Sequence, residues 1–205
     1  MAIMEGVTLA QMGLFVATLS VAILSPGPGI VAVSQAAFSL GRRGALPYAL
    51  GLATGASAWC LVALLGLTVV FEALPLALSA FHVAGGLYLV WIASRMWRHA
   101  ADPLPEASGA GRGFAAGFAL NASNPKPGLF YASVLLSIFP DLNGFGPNAS
   151  VYAVALGVEL AFYLSLAAVL SAAAIRIRYF ALKPWIDRAA AVMIAALGVL
   201  LILRH

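Results

Sequence analysis

A long apolar run over residues 7–40, interrupted by Ser25-Pro26-Gly27-Pro28-Gly29, constrains the fold of this chain more than any other feature. One membrane crossing needs only about 20 apolar residues, so the run is too long for a single straight span. Proline lacks an N–H group and clashes with the preceding turn, so a helix bends or ends there. Because lipid offers the backbone no hydrogen-bonding partner, such a break is tolerated only inside a helical bundle or beside a watery cavity.

A second interruption, Asn124-Pro125-Lys126-Pro127-Gly128, lies in an apolar run in the other half of the chain. Many transporters form their substrate site from broken helices near the membrane midplane. We therefore expect the two breaks to face each other and form the site of a small membrane transporter. The alternative is a pair of proline kinks that only shape packing, since Pro and Gly are common in membrane helices.

The composition supports an integral membrane protein. Of 205 residues, 63% are hydrophobic and 9% are charged, and the mean hydropathy is +1.00, whereas soluble domains are about 45–50% apolar and about 25% charged. We expect a single all-α transmembrane domain over residues 1–205, with room for about six helices and no soluble domain. The first seven residues contain no Lys or Arg, so we interpret the first span as permanent and not as a signal peptide.

The spacing of apolar runs predicts six transmembrane helices. They cover residues 7–40, 45–71, 76–97, 113–139, 149–175 and 185–203, and the first and fourth are broken. The polar, Pro- and Gly-rich loop 101–112 joins two halves, at about 1–100 and 113–205. Because each half has three spans, the second half enters inverted, which favours a 3+3 inverted repeat. The two breaks lie at different depths in their runs, and the halves share no clear sequence identity.

The distribution of basic residues predicts the orientation, because Lys and Arg concentrate on the cytoplasmic side. Nine lie on one side of the predicted spans: Arg42, Arg43, Arg95, Arg98, Arg112, Arg176, Arg178, Lys183 and Arg188. The opposite side has three acids and one base, Arg204. The loop 101–112 is therefore expected in the cytoplasm and both termini outside.

The net charge of +4 does not indicate a nucleic-acid partner, because the basic residues lie at span ends and not on one polar face. Cys60 is the only cysteine, which excludes a disulfide framework or a CxxC metal pair. The sequence contains no GxSxG, HExxH or P-loop motif. We expect no enzyme activity, catalytic residue, metal or cofactor; the expected partners are a small-molecule substrate and the lipid bilayer, and a homodimer is left open.

Lys126 lies about 20 Å into the predicted fourth span, where a charge costs about 2.5–3.5 kcal/mol on insertion scales. It is expected to face the interior and bind a substrate carboxylate, or to pair with an acid that carries protons. A snorkelled or purely structural ion pair is the alternative. Asn121 and Asn124 beside it can satisfy the backbone groups that Pro125 and Pro127 free.

Glu159 is the only acid well inside a predicted span, about 15 Å deep, on one helical face with Tyr152 and Tyr163. A carboxyl group at that depth is a candidate proton carrier or counter-charge for a substrate ammonium. The alternative is a static partner of Lys126.

The half-helix after the first break favours a carboxylate at its N-terminus. Gln35, with its neighbours Ser34 and Ser39, can line the same cavity or only join helices. The predicted substrate-binding residues are Pro26, Gly27, Pro28, Gly29, Gln35, Asn121, Asn124, Pro125 and Lys126.

The segment SPGPGIVAVSQAAFSLGRRGALPYALGLATGA, at residues 25–56, closely resembles the N-terminal signature of the lysine-exporter (LysE) superfamily, in its homoserine/threonine-efflux branch. GLYLVWIASRMWR at 86–98 is similar to the end of that family's third span, and NPKPGLFYASVLLSIFP at 124–140 resembles its fourth-span NPK signature. By position, Pro26, Gly27 and Pro28 correspond to its PGP motif. Many members have an asparagine after PGP where this chain has Gly29.

The resemblance implies a bacterial inner-membrane exporter of amino acids or related small metabolites, driven by the proton motive force. A heavy-metal exporter is an alternative, although soft metals prefer thiolate or imidazole clusters, and a membrane protein without transport activity is another. The sequence leaves open the substrate, the coupling ion, the oligomeric state and whether Lys126 and Glu159 touch.

Overall fold

The computed structural model describes residues 2–4, 7–25, 27–73, 77–102, 113–140 and 142–203. Over this part the chain is helical apart from a short N-terminal ladder, which confirms the all-α class. The helices are α1 (Leu9–Leu24), α2 (Pro28–Ala73), α3 (Ala77–Arg98), α4 (Gly113–Ala122), α5 (Pro125–Ile138), α6 (Phe145–Val169), α7 (Ala173–Ala181) and α8 (Lys183–Leu203). The ladder pairs β1 (Ala2–Met4) with β2 (Val7–Thr8) in antiparallel fashion.

Both sequence interruptions separate helices in the structure. α1 ends at Leu24 and α2 begins at Pro28, whereas α4 ends at Ala122 and α5 begins at Pro125. In each case a proline is the first residue of the new helix, where its missing N–H group costs nothing. Pro26 lies outside the described residues.

The loop predicted after residue 40 is a kink within α2. Gly41 has φ 69° and ψ 172°, which is not a helical conformation and interrupts α2 at this residue. Glycine adopts a positive φ without a steric penalty. The first arm of α2 covers residues 28–40 and the second arm covers residues 42–73. The turn therefore needs a single residue, because the glycine alone changes the chain direction.

The predicted fifth span and the loop after it need correction. α6 begins and ends earlier than the expected residues 149–175, because Gly144, with φ 88°, starts the helix and Pro147 falls in its first turn. The expected basic loop at residues 176–184 contains most of α7. Tyr179 and Phe180 on α7 pack against the core cluster around α2 and α6, which gives this short helix an apolar side.

Close glycine contacts hold α4 against the second arm of α2. A Cβ atom built on Gly51 would lie 2.0 Å from the carbonyl oxygen of Phe114, and one on Gly117 would lie 2.2 Å from that of Tyr48. A Cβ atom on Gly55 would lie 2.5 Å from the carbonyl oxygen of Phe118. The backbones approach this closely because no side chain stands between them, and Asn121 is thereby placed beside α2.

α3 and α8 form a second close pair. A Cβ atom on Gly86 would lie 2.7 Å from the carbonyl oxygen of Gly198, and one on Gly198 would lie 2.7 Å from that of Gly86. Two helices in the described part are long and apolar enough to cross a membrane by length and composition, Pro28–Gly66 and Phe145–Val169. Large apolar side chains are exposed along several helices, including Leu61, Leu65, Leu87, Val192 and Leu200.

Candidate functional site

The two helix breaks meet in the interior of the bundle. A Cβ atom on Gly27 would lie 4.0 Å from the Nζ atom of Lys126. Between the breaks and α6 lies an inner cavity of about 70 Å³, several times the roughly 10–15 Å³ that one water molecule requires. Its polar lining comprises Ser25, Asn121, Asn124, Lys126, Tyr131, Glu159 and Tyr163, with Gly27, Pro28 and Gly29 of the first break.

The first break presents free backbone N–H groups to this cavity. The first intrahelical bond of α2 runs from the N–H of Val31 to the carbonyl oxygen of Gly27, at 3.0 Å. Pro28 has no N–H group, and the N–H groups of Gly29 and Ile30 belong to the first turn of α2, which offers them no intrahelical acceptor within the described residues. Both residues line the inner cavity, and such a helix end favours an anionic group.

The second break carries a positive charge on the side chain of Lys126. Asn124 caps α5, because its side-chain oxygen accepts a hydrogen bond from the N–H of Lys126 at 3.0 Å. Lys126 lines the inner cavity, and no carboxylate of the described residues forms an ion pair with it. Its ammonium group therefore lies at the cavity without a direct ion pair among the described residues, although the carboxylate of Asp187 is near enough to interact with it electrostatically.

Glu159 is the deepest carboxyl group of the site, with only 2% of its surface exposed. Its Oε1 atom accepts a hydrogen bond from the hydroxyl of Tyr131 at 2.8 Å. Its Oε2 atom is buried and has no hydrogen-bond partner in the described part of the chain, although buried polar atoms in proteins are almost always paired. Glu159 and Lys126 line one cavity but do not form an ion pair, so the cavity lies between a carboxyl group and an ammonium group.

Asn121 connects three helices at the floor of the cavity. Its Nδ2 group donates to the carbonyl oxygen of Leu52 at 2.8 Å and to the hydroxyl of Tyr163 at 3.1 Å. Its own carbonyl oxygen accepts from the indole N–H of Trp59 at 3.2 Å. These bonds join α4 to α2 and α6 and leave the side-chain oxygen of Asn121 beside Gly29.

Gly29 has no space for a side chain. A Cβ atom there would lie 2.8 Å from the hydroxyl oxygen of Tyr163 and 3.1 Å from the side-chain oxygen of Asn121. The hydroxyl of Tyr163 thus occupies the region that a side chain at position 29 would enter. Glycine at this position and tyrosine at 163 are complementary in shape.

The structure brings most of the predicted site residues together at the inner cavity and places Gln35 elsewhere. Gly27, Pro28, Gly29, Asn121, Asn124, Lys126 and Glu159 all line the inner cavity. Gln35 lies on an exposed face of α2, away from the cavity. Pro125 begins α5, and Pro26 lies outside the described residues.

Three site residues, Ser25, Tyr131 and Tyr163, were not assigned a binding role from the sequence. Tyr163 follows Glu159 by four residues, which places both on one face of a helix, so a signal for it existed. Tyr131 and Ser25 contact partners far along the chain, and no local pattern indicated them.

An outer vestibule of about 590 Å³ adjoins the inner cavity. Gly27, Pro28, Asn124 and Lys126 line both spaces. The outer walls are the end of α3 and the start of α8, and they carry Arg95, His99, Asp102, Lys183 and Asp187. The inner cavity therefore opens toward the end of the bundle that carries the basic residues. The described part contains no group of three or more His, Cys, Asp or Glu side chains that could hold a metal ion.

The sequence of the chain is similar to those of known efflux proteins. The family model described as LysE type translocator matches residues 20–205. The chain is 34% identical over 191 residues to the threonine efflux protein of Salmonella typhi, covering 89% of this chain and 93% of that protein. The threonine efflux protein of Escherichia coli (strain K12) is 33% identical over the same length, with the same coverage.

A more distant match is the homoserine/homoserine lactone efflux protein of Salmonella typhimurium, 31% identical over 115 residues, or 54% of this chain and 56% of that protein. No solved structure matches the chain.

Proposed function

We propose that this chain, which belongs to the LysE type translocator family, exports small amino acids across the inner membrane of a bacterium. Membership of that family makes the protein a membrane transporter and not an enzyme. The amino-acid substrate is our inference from the cavity and from the relatives, which are named for threonine efflux and for homoserine/homoserine lactone efflux.

The observation that carries the proposal is the unpaired Oε2 atom of Glu159, which lies in the same cavity as the ammonium group of Lys126. A free amino acid is a zwitterion, with a carboxylate and an ammonium group close together. Its carboxylate would bind Lys126 and the free N–H groups of Gly29 and Ile30. Its ammonium group would supply the donor that Oε2 lacks.

The remaining lining favours a short side chain with a hydroxyl group. Tyr163 and Asn121 provide polar contacts, while Leu19, Phe130 and Ile194 close the cavity with apolar surface. A cavity of about 70 Å³ disfavours bulky aromatic side chains. Threonine and homoserine, for which the efflux relatives are named, satisfy these conditions.

We further infer six membrane crossings. The α1 helix with the first arm of α2 would form the first, the second arm of α2 the second, α3 the third, α4 with α5 the fourth, α6 the fifth and α8 the sixth. These six crossings would correspond to the 3+3 inverted repeat expected from the sequence. With the basic end in the cytoplasm, both termini lie outside and the vestibule opens to the cytoplasm, the side from which an exporter loads.

We also propose that the proton motive force drives export through Glu159. A carboxyl group deep in the bundle can bind either a proton or the substrate ammonium, and exchange of one for the other couples their movements. The hydrogen bond from Tyr131 holds Oε1, so Oε2 is the atom that would exchange partners.

Inverted vesicles with an imposed pH gradient test this proposal. Labelled amino acids are screened for uptake, and each one taken up is measured again with Glu159→Gln and with the control Arg178→Gln, which neutralises an exposed charge on α7. We expect uptake of small hydroxylated amino acids, lost with Glu159→Gln and kept with Arg178→Gln. Uptake of no amino acid would overturn the assignment of substrate.

Substrate exchange without a gradient separates the two roles of Glu159. If Glu159→Gln abolishes accumulation but keeps exchange, the residue carries the proton and does not bind the ammonium group. Loss of both indicates that it binds the ammonium group. Undiminished accumulation would show that Glu159 only supports the fold.

A further inference from the structure

A buried polar network outside the inner cavity contacts the first break. The hydroxyl of Ser25 donates to Oδ1 of Asp187 at 2.6 Å, and Nζ of Lys183 lies 2.9 Å from Oδ2 of the same carboxylate. Lys183 also donates to the carbonyl oxygens of His99 at 3.2 Å and Ala100 at 2.9 Å. Asp187 is 5% exposed and Lys183 is 8% exposed.

Asp187 pairs with Lys183 and not with its sequence neighbour Arg188. The guanidinium of Arg188 lies instead over the rings of Trp97 and Trp185, at 5.7 and 5.9 Å from their centroids. Lys183 precedes Asp187 by four residues, so the two side chains lie on one face of α8. Adjacent residues on a helix point in different directions, which keeps Arg188 away from Asp187.

The members of this network bind mainly to one another. An ammonium group has three donors, and Lys183 uses one on Asp187 and two on the carbonyl groups just after α3. Each oxygen of Asp187 has a partner within the network. The network is therefore a tie between three segments: the end of α3, the start of α8 and the break between α1 and α2.

A second bond holds the break from the same direction. The hydroxyl of Tyr179 on α7 donates to the carbonyl oxygen of Leu24 at 2.7 Å, which is one of the carbonyl groups left free at a helix C-terminus. Ser25 is extended, with φ −65° and ψ 114°. The position of the break therefore depends on α7 and α8, which follow it by more than 140 residues.

We propose that Lys183 and Asp187, acting through Ser25, are positioning residues of the transport site. They hold the first break so that the N–H groups of Gly29 and Ile30 face the inner cavity. They also link this position to the end of α3, which walls the vestibule. The proposal deepens the proposed function, because the N–H groups serve the substrate carboxylate there.

The test places a thiol at the break itself. A Cβ atom on Gly27 would have no neighbour closer than 4.0 Å, so Gly27→Cys introduces a small reporter, in a chain that also carries Cys60→Ala. Its rate of reaction with a charged, impermeant maleimide is measured from the cytoplasmic side of inverted vesicles. This measurement needs no substrate, so it decides the proposal even if no amino acid is transported.

Ser25→Ala is the informative variant, because it removes one hydroxyl and leaves the Lys183–Asp187 pair intact. Since hydrogen bonds to charged groups are the stronger ones, we expect the labelling rate at position 27 to change about tenfold. Ser25→Thr keeps a hydroxyl and should restore the original rate. Asp187→Asn should act like Ser25→Ala, whereas the matched control Ser171→Ala, which removes a hydroxyl bonded to the nearby carbonyl oxygen of Ala168, should have no effect.

The native thiol reports whether a variant still folds. Cys60 is fully buried, so in a chain without the reporter it should remain unlabelled in every variant. If Asp187→Asn makes Cys60 accessible to the maleimide, that variant is not correctly folded and is set aside. The comparison of Ser25→Ala with Ser25→Thr then tests the proposal.

Transport kinetics distinguish a role of the network in positioning the first break from a role in helix packing alone. For an amino acid found in the uptake screen, we expect Ser25→Ala to raise KM about tenfold with a smaller effect on the maximal rate. Labelling rates and KM values that match the original protein in both Ser25→Ala and Asp187→Asn would overturn the proposal and leave the network a simple helix tie.

Discussion

The two breaks carry nearly the same residues in sequence but are held in different ways. The first, between α1 and α2, is bound by side chains from α7 and α8, through the Tyr179–Leu24 and Ser25–Asp187 bonds. The second, between α4 and α5, is capped by its own Asn124. Similar Pro-Gly motifs thus predict a helix end, but not what holds it in place.

Because they are held differently, we expect the two breaks to have different roles in the site. The second break is anchored to the closely packed α2–α4 pair through Asn121 and Trp59, so it provides a fixed charge on Lys126. The first break is tied to the α3–α8 side, which also walls the vestibule. A movement of α3 and α8 would therefore reach the first break more directly than the second.

The largest expected effect is that of Lys126→Met, which removes the charge of the second break. Transport should fall at least about a hundredfold, because the substrate carboxylate loses its charged partner. The matched control is Arg178→Met, which removes an exposed cation from α7. Uptake by inverted vesicles, normalised to the amount of protein, measures both. Near-normal transport by Lys126→Met would remove the second break from the site.

Gly29→Ala tests the close fit of the first break. The new methyl group would meet the Tyr163 hydroxyl at 2.8 Å, so we expect a loss of about 1–3 kcal/mol in stability or binding. Adding Tyr163→Phe removes that hydroxyl and should recover part of the loss. Thermal unfolding in detergent and uptake measure the single and double variants. If Tyr163→Phe gives no recovery, the two positions are not in steric contact.

Asn121→Ala should weaken the anchor of the second break. It leaves the carbonyl oxygen of Leu52 without its donor, and side-chain hydrogen bonds in membrane proteins contribute about 0.6–1.7 kcal/mol each. We expect a lower unfolding temperature in detergent, and a larger decrease than for Ser25→Ala. The reverse order would mean that the first break carries more of the stability.

The smallest expected effect is that of Asn124→Ala, which removes the cap of α5. The loss should be about 1 kcal/mol, and Asn124→Asp should retain the cap, since its side-chain oxygen can still accept from the N–H of Lys126. The unfolding temperatures of the two variants decide this. Equal values for both would show that the cap contributes nothing measurable.

Local sequence patterns predicted much of this fold. Both helix breaks, and the interior position expected for Lys126, followed from residue type and helical spacing, whereas the sequence left open whether Lys126 and Glu159 touch. The errors were also local: Gln35 was assigned to the cavity although it lies on an exposed face, and the amphipathic α7 was taken for a loop. Periodicity identifies an apolar face but does not specify which neighbour it packs against.

The sequence by itself determined where the helices end and where charge enters the bundle, because proline lacks an N–H group and a deep ammonium group is costly in lipid. Only the tertiary structure decided that Tyr131 would bind Glu159 and that Ser25 would bind Asp187, 162 residues away. Such contacts depend on how each helix is rotated and packed. A kink at Gly41 and close packing at glycines set those rotations, and no short segment of sequence contains both partners.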